Sequence, residues 1–351
     1  MLLFAATVFT SAFLLFLVQP IIAKQILPWF GGNAAVWTVC MVFFQLLLLG
    51  GYAYADALVR RVAPRTQAIV HSVLLAASLA FLPILASESW KPAPDTEPTA
   101  RILLLLFSTI GLPYFLLSTT GPLVQAWFAR SFPSATVYRL FALSNLASLV
   151  ALIAYPPLIE PAISLQAQSY AWSGIYLAFA ALCAASAWLA ARKPAVVLGV
   201  ATEIPAKESA AETPKASEYL LWLALSALGS LMLLAVTSHI TQNVASVPFV
   251  WIVPLVLYLL SFILVFDVGG GRRMSGWYAR IWGLPLLFAL LAVMAYYLSK
   301  NLGVMNIRYS IALYCAGLFV ACMFCHGELP AASPPVRRGR TCRRRGRRPS
   351  T

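Results

Sequence analysis

The residues with the most recognisable chemical spacing are Cys322, Cys325 and His326, which read C-x-x-C-H. This is the signature by which c-type haem is covalently attached. In bacteria that attachment takes place on the outer face of the membrane, so the meaning of the motif depends on which side of a membrane these residues face.

Composition places the chain in a membrane. Of 351 residues, 61% are hydrophobic and only 10% are charged, and the mean hydropathy is +0.82. These values exclude a soluble globular protein of this length. The apolar runs are near the roughly 20 residues that cross a bilayer as a helix, and they do not alternate as barrel strands would. The sequence therefore predicts an all-α integral membrane protein with about ten transmembrane helices: 3–23, 34–55, 67–86, 102–124, 140–158, 171–191, 219–239, 248–266, 281–299 and 309–326.

The distribution of lysine and arginine predicts the orientation. Twelve of them fall in one set of alternate loops and five in the other, before the C-terminal tail is considered. The positive-inside rule then predicts a multi-pass protein with both termini in the cytoplasm. In that topology Cys322, Cys325 and His326 lie at the cytoplasmic end of the last helix, the wrong side for haem. We expect no cofactor, and the three scattered histidines predict no metal site.

The loops suggest two parts joined by a linker. Residues 1–191 hold six predicted helices, 192–218 form a polar segment predicted to be a flexible cytoplasmic linker, and 219–329 hold four helices. The two parts share one feature at a cytoplasmic helix end, an aspartate followed closely by two arginines that it could pair with. These residues are Asp56, Arg60 and Arg61 in the first part and Asp267, Arg272 and Arg273 in the second. The alternative is that the arginines are simply positive-inside anchors.

The aspartate and arginine arrangement resembles the loop motif of the major facilitator superfamily, with one extra residue between Gly51 and Asp56. Longer stretches are similar to the membrane half of bacterial proteins in which a major facilitator-like domain is fused to a spermidine synthase-like domain. They include "SAFLLFLVQPIIAKQILPWFGGNAAVWTVCMVFFQLLLLGGYAYA" (11–55), "STTGPLVQAWFAR" (118–130), "LSNLASLVALIAYPPLIEP" (143–161), "TSHITQNVASVPFVWIVPLVLYLLSFIL" (237–264) and "CMFCHGEL" (322–329).

The resemblance implies a bacterial inner membrane location and a 6 + 4 helix arrangement from which the last two helices of the second half are missing. Family members continue into an aminopropyltransferase-like domain. Here residues 330–351 are an arginine- and proline-rich string, expected to be disordered, that accounts for eight of the charges behind the formal net charge of +14. We hypothesise that the tail is out of frame, and so expect no nucleic-acid partner. Without the synthase-like domain we expect no polyamine synthesis by this chain.

Polar residues within membrane helices are candidate functional residues, because they are costly in lipid unless they face a bundle interior. Gln19 and Lys24 flank a helix-opening Pro20, although Lys24 could instead reach the interface beside Trp29. The other candidates for a substrate pathway are Gln125, Asn145, Glu160, His239, Gln242 and Asn243.

Each of these candidates has a plain structural alternative. The amides could be hydrogen-bond links between helices, and His239 could be an ordinary interfacial histidine. Residues 239, 242 and 243 share one helical face if that helix continues. Glu160 is the one carboxylate outside the charged loops on the outer half.

The sequence therefore predicts a transporter-like module that moves or senses a small metabolite, such as a polyamine, by rocking of its halves. The alternative is a membrane anchor for a cytoplasmic aminopropyltransferase-like domain. A polycationic substrate would need carboxylates, and the membrane region offers few. The sequence leaves the substrate, the coupling ion and the oligomeric state open; the only other expected partner is the lipid bilayer.

Overall fold

The computed structural model describes residues 1–31, 34–92, 98–132, 138–192, 216–243, 248–266, 278–299 and 307–331, and in these ranges it is helical with no strand. Ten principal helices follow one another along the chain: α1 Leu2–Phe30, α2 Ala34–Arg61, α3 Pro64–Ser78, α4 Pro98–Ser131, α5 Tyr138–Ala154, α6 Leu165–Arg192, α7 Ala216–Asn243, α8 Pro248–Phe266, α9 Arg280–Ser299 and α10 Ile307–Ala331. Each overlaps one predicted apolar run.

Eight of the described helices, all except α3 and α8, are long and apolar enough to cross a membrane. Helix α3 has 15 residues, and the apolar part of α8 covers Ile252–Val265. The chain is thus a multi-pass, all-α membrane protein. The exact number of spans and a major facilitator arrangement stay predictions.

The third predicted span is too long at its C-terminal end. Helix α3 ends at Ser78 rather than near residue 86, and a short 3-10 turn follows over Leu79–Phe81. Pro83 explains the ending, because a proline disfavours helical backbone at the residue before it and has no N–H to continue the helix. Residues 82–86 instead run as irregular chain.

In the first half, α1 lies at the centre and packs against α4, α5 and α6. Two of its neighbours contain a π-helical turn, Phe107–Gly111 within α4 and Tyr155–Ile159 after α5. Prolines account for both turns, since Pro113 follows the first and Pro156 and Pro157 lie in the second, and each removes a donor from the helix ladder. The second turn leads into the helical residues Glu160–Ala162, and together with them α5 forms the membrane-length span Arg139–Ala162.

In the second half, α7, α8 and α10 pack together and α9 lies against α10. The two halves meet along two seams. Helix α5 packs closely against α8, with the Phe141 and Phe262 rings 6.2 Å apart, whereas α2 touches α7 at few positions. We call the bundle end near the start of α1 the Met1 side and the opposite end the Phe30 side.

The predicted linker lies mostly outside the described residues, as does the predicted tail. Only the two ends of the linker are described: Arg192 is the last residue of α6, and residues 216–218 are the first of α7.

Candidate functional site

A cleft opens on the Phe30 side where α2 faces α7. It is small and partly open to its surroundings. Helix α2 contributes Trp37, Thr38 and Met41 from one face. Because these positions are spaced i, i+1 and i+4, they lie together on one side of the helix.

The opposite wall comes from α7 and combines leucines with a row of hydroxyls. Thr237, Ser238 and Thr241 line the cleft beside Leu233 and Leu234. Leu255 of α8 completes the lining. None of these residues is charged.

Two of the hydroxyls in this row take part in hydrogen bonds within α7. Thr241 donates a hydrogen bond to the Thr237 carbonyl oxygen at 2.7 Å, and the Gln242 side-chain amide donates to Ser238 Oγ at 3.1 Å. A hydroxyl offers one donor and two acceptor positions. Thr241 therefore still has acceptor capacity and Ser238 still has its O–H, so the wall can both accept from and donate to a bound molecule.

The structure places the predicted group at residues 239, 242 and 243 at the end of this wall. Helix α7 does continue through Asn243, whose side chain lies outside the described part. Gln242 is exposed and contacts the cleft residue Ser238. His239 instead packs against the Tyr314 ring of α10, with ring centroids 4.2 Å apart, and does not line the cleft.

Lys24 and Glu160, predicted as separate candidates, form an ion pair. Lys24 Nζ lies 2.6 Å from Glu160 Oε1, and the two side chains are 34% and 22% exposed. The pair joins α1 to the segment that ends α5. Trp29, the predicted neighbour of Lys24, has the Lys91 ammonium 5.6 Å from its ring centroid.

The remaining amide candidates lie in the first half. Gln19 is buried, and its amide donates to Tyr114 Oη of α4 at 3.4 Å, so it links two helices. Asn145 Nδ2 is buried without a hydrogen-bond partner in the described part of the chain. Gln125 is half-buried. None of the three lines the cleft.

Sequence reasoning missed two glutamines that are more strongly bound than those it selected. Gln25 donates to the Ile84 carbonyl oxygen at 3.2 Å and to Ser169 Oγ at 2.8 Å, and accepts from the Ala86 backbone N–H at 3.0 Å. It thereby ties α1 to α6 and to the irregular chain after α3. The sequence signal that could have found Gln25 is the one that identified its neighbour Lys24: a polar residue late in an apolar helix.

Gln67 of α3 is the second missed residue. Its amide donates to the Leu58 and Val62 carbonyl oxygens at 3.2 and 2.7 Å, and it accepts from Trp127 Nε1 at 2.9 Å. Since Leu58 and Trp127 belong to α2 and α4, one amide holds three helices together.

His71 is buried one helical turn further along α3. Its ring lies between Tyr54 and Trp127, with centroid distances of 6.1 and 5.8 Å. Neither ring nitrogen of His71 has a hydrogen-bond partner among the described residues, and neither has the Tyr54 hydroxyl. His71 and Tyr54 thus bring buried polar atoms together without a hydrogen bond between them.

The C-x-x-C-H residues are part of helix packing. Cys322, Cys325 and His326 are buried, and His326 Nδ1 lies 3.0 Å from Ser261 Oγ of α8. The His326 ring stacks on Phe262 at 3.7 Å, and Cys322 Sγ contacts the Gly229 carbonyl oxygen of α7 at 3.9 Å. The motif therefore joins α10 to α7 and α8.

The predicted charge motif is described in the first half alone. Asp56 Oδ1 accepts from Arg60 Nε at 2.6 Å on the exposed surface of α2, and Arg61 is the last residue of that helix. Asp267, Arg272 and Arg273 lie outside the described residues.

A second polar group, on the same side, surrounds Glu328. Its Oε1 accepts from Tyr278 Oη at 2.6 Å and lies 3.5 Å from Arg280 Nε. Burial, and then the hydrogen bond to Glu328, raise the pKa of Tyr278. The Tyr278 ring lies directly against Gly283 of α9 and Gly327 of α10, so that a Cβ at either glycine would overlap the ring.

Within the described part of the chain, no group of three or more His, Cys, Asp or Glu side chains is placed to hold a metal ion. No protein-family model, no curated protein and no solved structure matches this chain. The cleft between α2 and α7 is thus the candidate site on its geometry alone.

Proposed function

We propose that this protein is a transporter-like membrane module that binds a small molecule in the cleft between its two halves and moves it by rocking one half against the other. The observation that carries the proposal is the difference between the two seams. The α5–α8 seam is packed, whereas the α2–α7 seam holds the cleft. A pair of halves joined on one side and open on the other is suited to alternating access.

The resemblance of residues 1 to about 329 to the membrane half of major facilitator and spermidine synthase-like fusion proteins supports the same reading. On this proposal the chain lies in a bacterial inner membrane with both termini in the cytoplasm. The Phe30 side, and with it the cleft, then faces outward.

Uptake into proteoliposomes tests the proposal. Vesicles with and without the protein are incubated with an isotope-labelled bacterial metabolite extract, washed, and analysed by mass spectrometry. We expect at least one metabolite to be retained only in the protein-containing vesicles. A membrane anchor would leave the two vesicle populations with the same content.

A cross-link across the cleft makes the test specific. Thr38→Cys and Ser238→Cys face each other across it, and a cleavable bismaleimide that joins them should abolish retention until the linker is cut. Each single cysteine variant, treated in the same way, serves as the control. Retention that survives the cross-link would contradict rocking about this cleft.

A further inference from the structure

We infer that the cleft between α2 and α7 takes an uncharged, largely apolar small molecule with a hydrogen-bonding group such as a hydroxyl or carbonyl, and not a polyamine. The inference rests on the proposed function and specifies its substrate class. It is carried by the chemistry of the cleft walls and by the position of the acidic residues.

The walls provide apolar area and neutral hydrogen bonds. Trp37, Met41 and the leucines supply the apolar surface, and the hydroxyls of Thr38, Thr237, Ser238 and Thr241 supply the polar groups. Apolar walls with a few directed polar groups are typical of sites for small organic ligands. A cation bound here would find no opposite charge on any lining residue, and an unpaired charge away from water is costly.

The carboxylates within the described part of the chain lie away from the cleft or are paired. Glu160, the described carboxylate at the end of α5, is paired with Lys24 at 2.6 Å, and Glu88 lies 3.2 Å from Lys91. Asp56 and Glu328 lie on the Met1 side with Arg60 and with Tyr278 and Arg280. The fifth described acid, Glu218, is in the first turn of α7, at the opposite end of that helix from Thr241.

The hydroxyl row fixes what the ligand must carry. Thr241 uses its proton on the Thr237 carbonyl oxygen and so accepts, while Ser238 accepts from Gln242 and keeps its own O–H to donate. A ligand hydroxyl can satisfy both groups, and a carbonyl oxygen can accept from Ser238. A primary ammonium can donate to Thr241 but has no atom that accepts from Ser238, and a quaternary ammonium, which has no N–H, matches neither group.

Three photoreactive probes with one alkyl diazirine chain test the charge preference. They end in a hydroxyl, a primary ammonium or a carboxylate group. The protein in proteoliposomes is labelled with each, and peptide mass spectrometry compares residues 37–41 and 233–241 with the exposed residues Ile281 and Trp282 of α9. This internal reference removes differences in how the probes partition into lipid.

We expect the hydroxyl probe to label the cleft, relative to α9, about tenfold more than either charged probe. Leu234→Trp fills the cleft and should abolish that preference, while Leu223→Trp, on the exposed face of the same helix, should not. Thr237→Val keeps the side-chain shape and should weaken labelling. Equal or greater cleft labelling by the ammonium probe, or labelling unaffected by both cleft variants, would overturn the inference.

The labelling result separates this inference from the proposed function. If the hydroxyl probe labels the cleft as expected but vesicles retain no metabolite, transport fails while the neutral cleft stands. If vesicles concentrate labelled spermidine and the cross-link stops it, transport stands and the neutral assignment is overturned.

Discussion

The two halves of this protein bury their apolar helices to very different extents. In the first half the buried share of the apolar stretch runs from 28% in α5 to 67% in α4, with 56% in α1, against 17% in α7 and 11% in α9 of the second half. Helix α10, at 50%, is buried as much as the central helices of the first half. Among the described helices, the first half is therefore a packed bundle, and the second half is a layer around α10 with much of its apolar surface turned outward.

The difference extends to how helices are linked. Gln25 and Gln67 each bridge several elements of the first half through buried amide hydrogen bonds. The second half relies on close contacts such as Gly229 with Cys322, and on the Ser261–His326 pair. In lipid there is little hydrophobic drive between helices, so packing and such hydrogen bonds determine cohesion. The first half is thus the more firmly linked wall of the cleft, and on the proposed mechanism the second half is the one that would move.

The largest expected effect is from Gln25→Leu in the first half. Loss of its three hydrogen bonds removes this partner from the Ala86 N–H and the Ile84 carbonyl oxygen, which should lower the free energy of unfolding by about 3 kcal/mol. The matched change Gln242→Leu removes an exposed amide bonded within its own helix and should cost about 0.5 kcal/mol or less. Unfolding by SDS in mixed micelles, followed by circular dichroism, measures both. Equal losses of stability in the two variants would contradict the proposed difference in cohesion between the halves.

Gly51→Ala comes next. A Cβ at Gly51 would meet Ser118 and lie 3.2 Å from the Thr119 backbone nitrogen, so α2 and α4 would be forced apart at a cost of about 2 kcal/mol. Gly50→Ala is the control, because its Cβ would meet only Phe115 at 3.8 Å. In the second half, Gly229→Ala would place its Cβ 3.4 Å from His326 Nε2 and should be tolerated better. The same titration measures all three, and a Gly50 variant as unstable as the Gly51 variant would refute the close approach.

The Lys24–Glu160 pair should contribute less. Since both side chains are partly exposed, a double-mutant cycle with Lys24→Met and Glu160→Gln should give a coupling of about 1 kcal/mol that falls as salt is added. The corresponding cycle at Arg280 and Glu328, whose N to O distance is 3.5 Å and whose arginine is 70% exposed, should give a coupling near zero. A larger coupling at the second pair would show that the second half is the more tightly joined.

The smallest effect, and one of opposite sign, is expected at His71. Because its ring nitrogens have no hydrogen-bond partners, His71→Leu should leave stability unchanged or raise it by up to about 1 kcal/mol. His326→Leu in the second half breaks the contact with Ser261 and should lower stability by about 1 kcal/mol. Thermal denaturation monitored by a thiol-reactive dye would rank the two variants. A marked loss of stability in His71→Leu would indicate that the histidine has a partner, such as a buried water.

The helices could be predicted because each is a run of apolar residues, and composition alone identifies such runs. The end of α3 could have been predicted as well, since Pro83 is visible in the sequence, but hydropathy continues past it to residue 86. Helix ends depend on a single backbone donor and not on average hydrophobicity.

The candidate site was harder to predict. Lys24 and Glu160 were each identifiable as polar residues near helix ends, yet their pairing depends on how α1 and α5 cross, 136 positions apart in sequence. The cleft residues gave still less signal, because Trp37, Thr38 and Thr237 are ordinary membrane-helix residues until two helices face each other. The space between them is a property of how the halves meet.

Tyr278 fixes the register of two helices of the second half at the Met1 side. Its ring occupies the space left by Gly283 and Gly327 while its hydroxyl bonds to Glu328, so any sliding of α9 along α10 would have to displace the ring. Toward the other end of α10, Tyr314 packs against His239 on the helix that forms the cleft wall. Aromatic rings thus connect α10 to α9 at one end and to the helix of the cleft wall at the other.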